Sequence, residues 1–229
     1  MVSSKFQQFT VQSARKLPVI LLADVSGSMS QNGKIQTLNR AIAEMIESFA
    51  AEEDVRAAIY VAVITFGRGG TKIHQPLLPA NQIQWTDMQA AGRTPMAEAF
   101  DLARIMVEDK NQIASRDYHP TVVLVSDGHP TDDQGYLSDN WKQPLQQFLD
   151  SERASKALRL AMGIGEDADE EILKAFLTGQ DSQLLFRADE SGQIRQFFRF
   201  VTMSVTNRSQ SVNPNSISTL PDNFEDLDF

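Results

Sequence analysis

Residues 19–28 read Val-Ile-Leu-Leu-Ala-Asp-Val-Ser-Gly-Ser, an apolar run that stops abruptly at oxygen donors. The continuous apolar stretch at 19–23 suits a strand buried on both faces, as in a parallel sheet with helices on each side. Asp24, Ser26 and Ser28 then crowd its carboxyl end, and Gly27 between the serines allows a tight loop. One carboxylate and two hydroxyls turned toward a common point suit a hard divalent cation. The plain alternative is an ordinary turn before a helix, because Asp, Ser and Gly populate such turns anyway.

Outward from this stretch, strands and helices alternate. Ile35, Leu38, Ile42, Met45, Ile46 and Phe49 recur at helical spacing, with Arg40, Glu44 and Glu47 opposite. Residues 57–66 and 71–78 are strands joined by the turn of Gly67, Gly69 and Gly70, which predicts an antiparallel hairpin at a sheet edge, where Pro76 and Pro79 are tolerated. Thr94 and Pro95 read as the N-cap and first residue of a helix that buries Met96, Ala99, Phe100, Ala103, Met106 and Val107. A second buried strand, 121–126, delivers Asp127 at its end. A helix over 141–154, a strand over 158–164, a short helix over 169–177 ended by Gly179, and a strand over 184–186 follow. The last helix buries Ile194, Phe197, Phe198, Val201 and Val205.

This order predicts an α/β doubly wound, Rossmann-like, mainly parallel six-stranded sheet with one antiparallel edge strand and helices on both faces. Residues 1–16 read as a polar lead-in, 17–206 as the domain and 207–229 as a flexible tail with an acidic end. Ligands in such sheets sit outside the carboxyl strand ends at the topological switch point, which is where Asp24 and Asp127 should meet.

Composition narrows the function. The 229 residues are 41% hydrophobic and carry a formal net charge of −9, which disfavours nucleic acid and anionic membrane surfaces as partners. Without cysteine there is no thiolate nucleophile and no disulfide. No apolar run reaches the roughly 20 residues of a membrane span and the N-terminus lacks a signal-peptide core, so the expected location is the cytoplasm.

Asp24, Ser26 and Ser28, then the distant Thr94, then the distant Asp127 resemble the metal-ion-dependent adhesion site (MIDAS) of von Willebrand factor A domains, with its Asp-x-Ser-x-Ser, Thr and Asp in that order. The resemblance covers roughly residues 17–205, and residues 163–167 look like the family's penultimate strand and turn. Residues 126–133, Ser-Asp-Gly-His-Pro-Thr-Asp-Asp, look most like the bacterial TerY-like branch associated with tellurium resistance and stress operons. The resemblance implies Mg²⁺ or Mn²⁺ held directly by the Ser26 and Ser28 hydroxyls, with Thr94 direct or through water and Asp24 and Asp127 partly through water. Neutral hydroxyl ligands leave positive charge on the metal and an open position for a partner's carboxylate. The function implied is a non-catalytic protein-binding adaptor or regulator, with a kinase and a phosphatase encoded nearby as expected partners.

Two other classes are weighed against it. A phosphoryl-transfer hydrolase would use Asp24 as nucleophile, but Ser26 stands where its second acid belongs. Gly33-Lys34-Ile35 makes no phosphate-binding loop, and Ser26 occupies the place where a nucleophile elbow around Ser28 requires glycine. The remaining class is a purely structural oligomer subunit. His129 reads as a rim residue, while His74 and His119 have no evident partner. Trp85 and Trp141 read as partly buried packing residues near the periphery, and Asp132 and Asp133 as a solvated acidic turn. The terminal Phe224-Glu225-Asp226-Leu227-Asp228-Phe229 combines acids with apolar anchors, which suits a contact element and equally a solvated acidic end that blunts aggregation.

Overall fold

In a computed structural model of the chain, residues 14–53, 56–132 and 134–216 are described. Six strands form one sheet: β1 (Arg15–Val25), β2 (Ala57–Gly67), β3 (Gly70–Pro79), β4 (Thr121–Ser126), β5 (Leu158–Ile164) and β6 (Leu185–Ala188). Their order is β3-β2-β1-β4-β5-β6, parallel throughout except for β3, which runs antiparallel to β2 at the edge. Five helices cover it: α1 (Lys34–Ala50), α2 (Met96–Glu108), α3 (Lys142–Asp150), α4 (Glu170–Phe176) and α5 (Ser191–Gln210).

The apolar stripes dictate the layering. The periodic residues expected on α1, α2 and α5 are all buried. Helices α1 and α5 pack together, and α2 packs against α3. Phe176 of α4 lies against Phe100 of α2 and Phe148 of α3, with ring centroids 5.9 and 6.1 Å apart. Residues 17 and 19–23 are at most 1% exposed, as a central strand with both faces covered requires. Because β1 pairs with β2 on one side and with β4 on the other, the connections diverge at the carboxyl ends of β1 and β4. Ala23 stands opposite Val125, so the residues that follow each strand emerge side by side.

Four expectations are corrected. Thr94 is not an N-cap: its N–H donates to the Thr131 hydroxyl and its carbonyl accepts from Thr131 N–H, so α2 starts only at Met96 and Pro95 is its N-cap. The helix expected over 141–154 stops at Asp150, because a Glu108 carboxylate oxygen accepts the N–H groups of Arg153 and Ala154 and draws them out of helical pairing. Arg15 and Lys16 belong to β1 and not to a lead-in. Lys16 N–H donates to Asp117 and its carbonyl accepts from Tyr118. The tail expected from Asn207 is still helix as far as Gln210, and Arg208 is buried, donating to the Thr121 hydroxyl and to the carbonyls of His119 and Pro214. The segment 224–229, like Asp133, lies outside the described residues.

Candidate metal centre

The serine loop leaves β1 through a single 3-10 turn, Gly27–Ser30. Two backbone bonds clamp the crossing segment onto it: Ala91 N–H to the Val25 carbonyl, 2.8 Å, and Gly27 N–H to the Gly92 carbonyl, 2.9 Å. Gly92 has φ +84°, and a Cβ there would lie 2.9 Å from the Arg68 Cα, so this close approach requires glycine.

Within the loop Asp24 is fully buried; one carboxylate oxygen accepts the Ser26 N–H at 2.8 Å and the other accepts the Ser126 hydroxyl at 2.7 Å. The Ser26 and Ser28 hydroxyl oxygens are 3.0 Å apart. Ser28 donates to one oxygen of the buried Asp127 at 2.7 Å, and the Lys34 ammonium donates to the other at 2.7 Å. Asp24, Ser26, Ser28 and Asp127 therefore form one connected cluster. Thr94 is buried two residues beyond Gly92 on the clamped segment, yet among the described residues no hydrogen bond joins its hydroxyl to that cluster.

The surroundings of Asp24 disfavour its negative charge. Burial, and then the charge of Asp127, push the Asp24 carboxyl up to about 6 despite the hydrogen bonds from Ser26 and Ser126. A cation would relieve both effects. The donors are all oxygen, and no three His, Cys, Asp or Glu side chains cluster among the described residues. Two carboxylates with two or three hydroxyls fit a small hard cation in a partly neutral shell.

Reading the sequence missed two residues. Ser126 directly precedes Asp127 and holds the far oxygen of Asp24. Lys34, the first residue of α1, lies 93 positions from its partner Asp127 and carries no local signal. At the rim, the exposed His129 pairs with Asp169 at 2.9 Å. His74 contacts the Thr86 carbonyl at 2.7 Å and the Trp85 ring edge-on, and Trp141 is a buried core residue instead of a peripheral one.

Two clefts flank the β2–β3 turn at Arg68 and Gly69. One of about 450 Å³ is lined in part by Val25, Thr65, Arg68, Lys72, His74 and Asp87. The other, about 350 Å³, is lined in part by Arg68, Gly92, Arg93, Pro95, Glu98 and Asp132.

A family model described as the von Willebrand factor type A domain matches residues 19–129. This is the von Willebrand factor type A fold. A von Willebrand factor type A protein from Catenulispora acidiphila superposes with a TM-score of 0.56 at 19% identity over 83% of this chain and 42% of that one. The pilus adhesin SpaC from Lactobacillus rhamnosus GG, in its open conformation, gives 0.64 at 16% identity over 86% of this chain and 31% of the adhesin. Proximal thread matrix protein 1 from the mussel byssus, in a structure described as having a zinc-occupied MIDAS motif, gives 0.63 at 16% identity, covering 82% of this chain and 47% of that one. The chain thus spans less than half the length of each of these proteins. None of the curated proteins compared matches it. No helix among the described residues is long and apolar enough to cross a membrane.

Proposed function

We propose that the chain is a non-catalytic protein-binding module. A divalent cation, Mg²⁺ or Mn²⁺, held by Asp24, Ser26, Ser28, Thr94 and Asp127, would accept a carboxylate from a partner protein. The observation that carries this reading is the hydrogen-bonded cluster of two buried acids and two hydroxyls at the β1/β4 switch point. A type A domain often mediates metal-dependent protein interaction, and the mussel protein of this fold is described with zinc at its MIDAS motif. The hydroxyl-rich donor set favours Mg²⁺ or Mn²⁺ here. When bound, the cation supplies a Lewis-acidic coordination position. Asp24 and Asp127 supply its counter-charge, and the serine hydroxyls hold it without neutralising it.

A cytoplasmic adaptor or regulator working beside a kinase and a phosphatase is the finer reading, resting on the TerY-like residues 126–133 alone. Calorimetric titration with MgCl₂ and MnCl₂, followed by an array of acidic peptides probed in Mg²⁺ or in chelator, tests the module. Saturable metal binding lost in Asp24→Asn, with peptide capture abolished by chelator, is the expected result. Absence of metal binding overturns the reading. Metal-dependent turnover of p-nitrophenyl phosphate that disappears in Asp24→Asn would replace it with the hydrolase.

A further inference from the structure

Lys34 opens α1 directly after Asn32 and Gly33, whose positive φ values of 53° and 71° turn the chain back toward the strand ends. A cation on the first residue of a helix is disfavoured by the partial positive charge of the exposed N–H groups there. Lys34 nonetheless places its ammonium 2.7 Å from a carboxylate oxygen of Asp127, with 18% of its side chain exposed and none of Asp127's. Attraction to the acid pair outweighs the helix end. The opposite wall leaves room for it: Gly165, at φ +81°, would bring a Cβ within 3.4 Å of the Lys34 Nζ.

Asp24 and Asp127 together carry two negative charges when ionised, and Lys34 returns one positive charge to the oxygen of Asp127 that Ser28 does not occupy. A divalent cation neutralises the pair by itself. With the ammonium still in place the centre becomes net positive, so the two cations oppose each other. Lysine is a point charge on a flexible stem, and this one has a route to solvent.

We propose that Lys34 is the chain's own stand-in cation: it neutralises Asp127 in the metal-free protein and weakens metal binding, because the metal must displace or tolerate the ammonium at Asp127. The inference rests on the metal centre proposed above. It makes Lys34 the residue that sets metal affinity, so that the centre loads only above a threshold of free metal.

The test uses the full chain with Lys34→Met, which keeps length and removes charge; Lys34→Gln, which keeps a donor to Asp127; and Lys34→Arg, which keeps the charge. MgCl₂ and MnCl₂ are titrated by calorimetry, and thermal unfolding is followed in chelator. Lys34→Met and Lys34→Gln should bind either metal about tenfold tighter or more, as expected for removing one unit charge a few Å from the ion. Both should melt below wild type in chelator, while Lys34→Arg stays near wild type in both measurements. Unchanged Kd values in the two neutral variants, with clear binding by wild type, overturn the inference alone. Weaker binding also overturns it, making Lys34 a residue that orients Asp127. If no chain binds Mg²⁺ or Mn²⁺, the metal centre itself fails, and this inference with it.

Discussion

Replacing Asp24 with asparagine should make the metal-free protein more stable. The carboxyl is fully buried, and burial followed by the charge of Asp127 raises its pKa from 3.8 to about 6. A shift of that size corresponds to about 3 kcal/mol of destabilisation by the ionised form above pH 6, at roughly 1.4 kcal/mol per unit. Asparagine is nearly isosteric. Its carbonyl can still accept the Ser26 N–H, and its amide meets the Ser126 hydroxyl, which can rotate to accept. The hydrogen bonds from Ser26 and Ser126 are already contained in that shift, so the further loss is the poorer fit of an amide to two hydrogen-bond donors, about 1 to 2 kcal/mol. The net expectation in chelator at pH 7.5 is therefore a variant more stable than wild type by about 1 to 2 kcal/mol. The pH dependence has a definite sign. The folded pKa lies above the unfolded one, so the cost is fully present above about 6, shrinks as pH falls through that value, and vanishes below 3.8. Urea unfolding in chelator should accordingly show the gap between the two proteins narrowing from pH 7.5 to pH 5. In excess Mg²⁺ the order should reverse, since wild type gains about 2.7 kcal/mol at a hundredfold excess over Kd while the variant gains little. An Asp24→Asn protein less stable than wild type in chelator at pH 7.5 would refute the reasoning and make Asp24 a structural carboxylate.

Other outcomes follow from particular contacts. Arg208→Met should destabilise by about 3 kcal/mol in urea unfolding, because it leaves the carbonyls of His119 and Pro214 and the Thr121 hydroxyl without their buried donor. Phe176→Ala, at the contact of three helices, should cost about 3 to 5 kcal/mol by the same assay and leave metal affinity close to wild type. Gly92→Ala combines a left-handed backbone with a Cβ 2.9 Å from the Arg68 Cα. It should cost about 1 to 3 kcal/mol and also weaken Mg²⁺ binding, because the Gly92 carbonyl holds the Gly27 N–H of the serine loop. Unaltered Mg²⁺ affinity in that variant would show that the clamp does not shape the loop.

The sequence by itself determined what depends on short-range pattern. An unbroken apolar run at 19–23 can only be buried on both faces, and the apolar stripes of α1, α2 and α5 follow from helical periodicity, so strand and helix types and the sheet's class were legible. The Asp-x-Ser-x-Ser spacing and Asp127 were legible as candidate ligands because local chemistry places oxygen donors at strand ends. Tertiary structure decided the pairings. Thr94 looks like a cap in any local window, but Thr131, 37 residues away, donates its N–H to the Thr94 carbonyl that a cap would turn to the helix. The composition beyond Asn207 looks like a tail, yet Arg208 finds Thr121 across 87 residues and prolongs the helix. Ser126 reaches Asp24 and Lys34 reaches Asp127 only because β1 and β4 are neighbours in the sheet. Strand order is a property of the whole chain's packing, and no window of sequence carries it. The donors could be named from local chemistry, while the cation that already stands among them appeared only when the strands were placed side by side.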